Sequence, residues 1–213
     1  MSTQLTIYNQ ALLKLGERAL SSLTEERKSR RDLDTVWASG AVNFCLEQAQ
    51  WYFAMRAIQA DYDPDISPAF GFAYAFGKPS DWVVTSAFCS DEYMQVPINA
   101  YIDEAGYWYC DYQTIYLKYV SNDTGYGGDM LKWPATFADY VSSYMASEII
   151  LSTTQSMDRY QKFCQLILNP ALITAKNKAA MTGPTQFPAR GMWSKSRSSS
   201  DMSERGNRSS LYG

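Results

Sequence analysis

Trp82-Val-Val-Thr-Ser-Ala-Phe88 decides the fold class. It joins aromatic ends to a β-branched centre and contains neither glycine nor proline, which suits a pleated strand better than a helix. Its surroundings repeat the composition. Asn99 to Asp103, Tyr107 to Asp111 and Ile115-Tyr-Leu-Lys-Tyr-Val120 read as further strands, and Glu104-Ala105-Gly106 stands between two of them as a hairpin turn with a glycine available for positive φ. From about residue 52 to residue 120 the pattern has period two and is dense in aromatics, glycine and proline, so small antiparallel sheets are expected there.

On both sides of this insert the period changes to 3.6. Leu5, Tyr8, Leu12 and Leu15 mark a helix over about 4–15, with Thr3 as N-cap and Gly16 at its C-terminal end. Ser22 or Thr24, followed by Glu25 and Glu26 in the first turn, predicts a longer helix over about 25–51. Leu33, Val36, Trp37, Gly40, Phe44 and Trp51 would form its bulky stripe; Ala38, Ala41, Cys45 and Ala49 would form a small-residue stripe beside it. Such a helix can pack on two neighbours, within one core or across a subunit interface, and the single core is the favoured reading. Pro134 suits a first helical turn and opens a helix over about 135–152 with Phe137, Val141, Tyr144, Met145, Glu148 and Ile149 on one face. A last helix is expected over about 157–181, kinked or broken near Leu166 to Asn169 because Pro170 falls inside it.

The expected fold is therefore α+β: a mainly α-helical bundle with small antiparallel β-sheets and hairpins inserted between helix pairs. The body spans residues 1–181. Residues 182–213 form an extended, flexible, basic C-terminal tail, rich in Ser, Arg, Gly and Pro.

Composition narrows the chemistry. The chain has 213 residues, no histidine, 19 Lys+Arg against 22 Asp+Glu, and a formal net charge of -3. Without histidine there is no Ser-His-Asp or Cys-His site, and the commonest metal ligand is missing. The charge is unevenly spread. From Gly183 onward Arg190, Lys195, Arg197, Arg205 and Arg208 face only Asp201 and Glu204, a tail of +3 on a body of -6. Cys45, Cys89, Cys110 and Cys164 fit no zinc spacing and read as small apolar side chains in a reducing cytoplasm. No apolar run is long enough to span a membrane, and the first twenty residues lack the pattern of a signal peptide.

Partial motifs do not complete. Asp61, Asp63 and Asp65 open like a calcium loop, but Ile66 and Phe72 stand where glycine and the bidentate glutamate are required. Gly125-Tyr-Gly-Gly-Asp129 lacks the Gly-Lys-Ser/Thr ending of a phosphate loop and is expected to be a flexible loop before Trp133. Asp91 with Glu92, or Asp103 with Glu104, could serve glycoside hydrolysis only if folding sets them at the right separation. In the tail, Arg190, Trp193, Lys195 and Arg197 form a cation–aromatic cluster suited to an acidic protein cleft or to phosphates, with protein the favoured partner. No cofactor is implied.

The order of elements carries a resemblance. Two helical segments end in Trp51-Tyr-Phe-Ala54; Phe72-Ala-Tyr-Ala-Phe-Gly-Lys-Pro79-Ser-Asp81 leads into the strand from Trp82; a hairpin with Tyr107 and the strand Ile115–Val120 follow; and Trp133-Pro-Ala-Thr-Phe137 opens a helix. From about Leu5 to Ala180 this resembles the head-to-tail adaptor family of tailed bacteriophages, the tail tubular protein A type. Tyr74 to Val84 and Trp133 to Phe137 are the most specific parts. Gly77-Lys78 departs from a more apolar strand end, and the Ser/Arg tail has no match.

The resemblance implies a structural virion protein at the head–tail junction, made in the host cytoplasm. Its partners would be the portal protein, the next tail or nozzle component, and copies of itself in a twelve-fold ring. DNA would pass through that ring without sequence-specific binding. Portal docking would fall to the tail, through Arg190, Trp193, Lys195 and Arg197, and no catalytic residue would be carried over. The alternatives are a carboxylate-based peptidoglycan hydrolase and a DNA-binding accessory protein of the virion.

Overall fold

A computed structural model of the chain describes residues 3–68 and 70–182. The fold is α+β, helices with two small antiparallel three-stranded sheets inserted between them. The tail and its four docking candidates, Arg190, Trp193, Lys195 and Arg197, lie outside the described residues.

Helix α1 (Gln4–Leu15) starts where Thr3 Oγ1 accepts the Thr6 amide at 3.2 Å and ends at Gly16, beyond which the Glu17 amide returns to the Leu12 carbonyl. These contacts satisfy end groups that a helix leaves open. Its buried residues are Ile7, Tyr8, Ala11 and Leu12.

The single helix expected over 25–51 is instead two, α2 (Lys28–Ala38) and α3 (Ala41–Glu47). Gly40 divides them at φ 95°, a left-handed conformation that interrupts the helical ladder and that a side chain would disfavour. Glu25 and Glu26 precede α2 rather than filling its first turn, and the Glu25 carboxylate receives the Ser21 amide at 2.9 Å. The break also redistributes the stripes: Ala41, Cys45 and Leu46 are buried, whereas Phe44 is exposed and stacks on Tyr144 at 4.5 Å.

After a 3-10 turn (Tyr52–Ala54) the chain enters β1 (Met55–Asp61), then β2 (Tyr74–Gly77), β3 (Trp82–Cys89), β4 (Ile102–Glu104), β5 (Tyr107–Cys110) and β6 (Thr114–Ser121). The first sheet has the order β1-β6-β3 and the second β2-β5-β4, all antiparallel. The β4–β5 hairpin turns through Ala105 (φ 49°) and Gly106 (φ 88°), as the Glu-Ala-Gly sequence suggests. The strand expected from Asn99 begins only at Ile102.

The sheets share a core. Phe88, Ile115 and Leu117 of the first meet Phe76, Trp108 and Cys110 of the second, with Ile58 and Ala60 packed against them. At the other end of the first sheet, Val120 and the partly buried Met55, Val83 and Val84 belong to the larger helical core.

That larger core surrounds α4 (Ala135–Thr154). Pro134 sits one residue before the helix, its carbonyl accepting the Phe137 and Ala138 amides. One apolar face was expected, yet α4 is buried on most of its circumference because α1, α2, α3, α5 and α6 all pack on it. Its inward serines are satisfied locally: Ser142 and Ser143 donate to the Asp139 carbonyl and Ser147 to that of Tyr144. Helix α5 (Met157–Phe163) runs through a wide π turn (Cys164–Leu168) into α6 (Asn169–Thr182). The irregularity falls where Pro170 predicts it, since proline cannot donate to the preceding turn.

Candidate functional site

Three features of the described residues could act as sites: the seam between helices and sheets, the carboxylates of the insert, and a groove on the second sheet. The seam is aromatic. The Phe137 ring lies 4.8 Å from Trp51, 4.9 Å from Phe53 and 5.0 Å from Trp133, so two sequence motifs far apart in the chain meet in one cluster. Both indoles are anchored: Trp51 Nε1 donates to the Cys45 carbonyl at 3.0 Å and Trp133 Nε1 to that of Gly127 at 2.8 Å.

The Gly127 contact corrects the expectation of a flexible loop. Residues 121–129 are tightly wound: the Gly127 amide donates to the Ser121 carbonyl, those of Tyr126 and Gly128 to Asp123, and that of Asp129 to Tyr126. A Cβ at Gly127 would lie 2.4 Å from the Ser121 carbonyl oxygen and 3.0 Å from Ala54 Cβ and Leu46 Cδ1. Only glycine allows so close an approach between loop and core.

Asp81 ties the same seam from the other side. Its carboxylate accepts from Arg56 at 2.9 Å, Ser121 at 2.5 Å and Tyr119 at 3.1 Å. Burial alone would raise this carboxyl, but hydrogen bonds from Ser121, Arg56 and Tyr119 outweigh it and hold it below the usual carboxylate range. Burial and the neighbouring Asp81 charge push the Tyr119 phenol up to about 12. The group is a brace.

The acid excess of the body is localised. Residues 52–120 hold three cations (Arg56, Lys78, Lys118) and nine carboxylates (Asp61, Asp63, Asp65, Asp81, Asp91, Glu92, Asp103, Glu104, Asp111), a balance of -6. Residues 1–51 and 121–182 together are neutral, with eleven of each sign. Within the insert, Arg56 pairs with Asp81 and Lys78 with Asp103, leaving seven carboxylates without an ion-pair partner among the described residues. Lys78 also lies 3.6 Å from the centre of the Trp82 ring.

Several of the carboxylates singled out by sequence are engaged by other groups. Asp91 accepts the Gln95 and Val96 amides, which lower its carboxyl below the usual range, away from what a general acid needs. Asp103 is engaged by Lys78, Asp61 receives the Thr114 hydroxyl at 2.8 Å, and Asp63 receives the Asp65 amide at 3.0 Å. The three thiols of Cys45, Cys89 and Cys110 are buried, and burial raises each of them, away from the reactive thiolate.

Sequence reasoning missed the groove. Strand pairing puts Ala75, Tyr109 and Ile102 on the outer face of the second sheet, with Gly77, Tyr107 and Glu104 beside them. The segment after β1 folds back over this face, its Asp63 amide donating to the Ala75 carbonyl and its Ala73 amide to Asp111. Between them lies a cavity of about 270 Å³ lined by Pro68, Phe70, Phe72, Ile102, Glu104, Ala105 and Tyr109. The clustering of Phe70 and Phe72 beside a hairpin was the available signal.

No protein-family model matches the chain, and no curated protein matches it.

Proposed function

We propose that this protein is a structural component of a tailed-phage virion, a head-to-tail adaptor. Copies form a ring beneath the portal, join capsid to tail and leave a passage for DNA; the chain performs no catalysis. The observation that carries this reading is the aromatic seam. Trp51 and Phe53 from the first quoted motif, and Trp133 and Phe137 from the last, pack on one another between helices and sheets. Asp81, at the end of the second motif, braces the adjoining loop. The residues that carry the resemblance thus share one architectural task, as expected of motifs that preserve a subunit's shape rather than its chemistry.

The acid excess of the body also suits a conduit wall, because carboxylates repel the duplex over roughly 10 Å at ordinary salt. The basic, aromatic residues 190–197 suit attachment to another protein. Electron microscopy of the protein mixed with its portal should reveal a twelve-fold collar. A chain ending at Thr182 should fold yet fail to attach. Attachment at the full-length level by that shortened chain would remove the docking role, and absence of any collar would remove the adaptor reading.

A further inference from the structure

We propose that the groove on the second sheet binds an extended segment of a partner protein through one large apolar side chain flanked by lysine or arginine. Size points to a side chain. At about 270 Å³ the cavity falls below the range of roughly 300–1,000 Å³ typical of small-molecule sites. Its lining is mostly apolar, and Phe70 at the rim is 91% exposed, leaving a large apolar surface available for burial.

Strand order supplies the binding mode. β4 pairs with β5 alone and each of its residues is exposed, so its other edge is open among the described residues. A segment laid along that edge would take the backbone hydrogen bonds of β4 and turn alternate side chains toward the face shared by Ile102, Glu104 and Tyr109.

Charge selects the occupant. Glu104 lines the groove without an ion-pair partner among the described residues, and Asp111, outside the lining, accepts the amide of Ala73, the residue after the lining Phe72. Both belong to the region that carries the body's whole excess of carboxylates. An acidic or neutral segment would meet like charge or none; a cationic one is steered in and held. The apolar depression along α5 makes the contrast, because its lining includes Lys14, Arg159 and Lys162 and no carboxylate. The proposal stands without the adaptor reading, since it concerns one chain and one peptide.

The test uses the full chain and a short fluorescein-labelled peptide with a tryptophan between two Lys-Arg pairs, followed by anisotropy. Saturable binding is expected, weakened about tenfold by Phe70→Ala and about tenfold by Glu104→Lys, as anchor and charge contacts at a small interface should behave. Both positions are exposed, so circular dichroism of the variants should match the parent. Replacing the peptide's tryptophan with alanine, or raising salt from about 0.05 to about 0.5 M, should also weaken it. Absence of binding, or binding indifferent to both variants, overturns the proposal. So does a chitin oligosaccharide that competes for the groove, or self-association of the chain that either variant abolishes.

Discussion

The helical part and the β insert differ in how they treat charge and burial. Around α4 the chain closes on itself: cations and carboxylates balance, serines bond to their own helix, and Lys14 crosses from α1 to pair with Asp139 at 2.8 Å. The insert has a much smaller core and carries all of the body's net negative charge, while exposed apolar side chains occur in both, Leu13, Leu166 and Ile173 in the helical part and Phe70, Tyr93 and Val96 in the insert. A large core and balanced charge hold the first region together, whereas the second has a small core and leaves most of its carboxylates without an ion-pair partner among the described residues.

The two regions meet at the aromatic seam, and variants there should strain the comparison most. Phe137→Ala removes a 1% exposed ring shared by four aromatics and should cost about 4 kcal/mol. If the seam couples both regions, thermal unfolding followed by fluorescence and by far-ultraviolet dichroism should stay coincident but shift down; separate transitions would show that the regions fold independently. Gly127→Ala drives a methyl into the Ser121 carbonyl and should cost about 3 kcal/mol, read from the urea midpoint. An unchanged midpoint would mean that the loop yields.

Asp81→Asn should cost about 2 kcal/mol near neutral pH, because Arg56 loses its charged acceptor. The sign follows from a lowered carboxyl: its contribution is present above the ordinary value near ~3.9 and is lost as pH falls through the folded value. Parent and variant should therefore converge in acid, and a gap that widened there would refute the brace. The smallest effect is expected inside the insert. Lys78→Met removes the cation from Trp82 and should cost about 1 kcal/mol, detectable as faster amide exchange in β3 and β5 with α1 and α4 unaffected.

Much of the architecture was legible because it rests on local chemistry. Thr3 and Gly16 bound α1, Pro170 marks the irregular turn, and the Glu-Ala-Gly hairpin lies where its composition places it. What escaped depends on distant parts of the chain. Gly40 interrupts an otherwise continuous apolar pattern with a left-handed conformation, and α2 and α3 then each pack on α4. β1 was not resolved as a strand because Ala57, Gln59 and Ala60 carry a weak alternation, and its register comes from β6. The winding of residues 121–129 depends on Trp133 and Ala54, which sequence does not place beside Gly127. Of the sites, the localisation of charge could have been counted from sequence, whereas the groove exists only once the segment after β1 returns over the second sheet.

The π turn at Cys164–Leu168 has a consequence for how this chain can vary in length. A helix turns by about 100° per residue, so one residue added within a regular α-helix rotates everything beyond it by that angle. A wide turn absorbs the extra residue and restores the phase. Here the downstream face still delivers Ala171 and Ala175 to the buried side and Thr182 to within 2.9 Å of the Tyr52 hydroxyl. Deleting one residue from 164–168 would make the helix more regular and turn that face away from its neighbours, a case in which a better helix makes a worse protein.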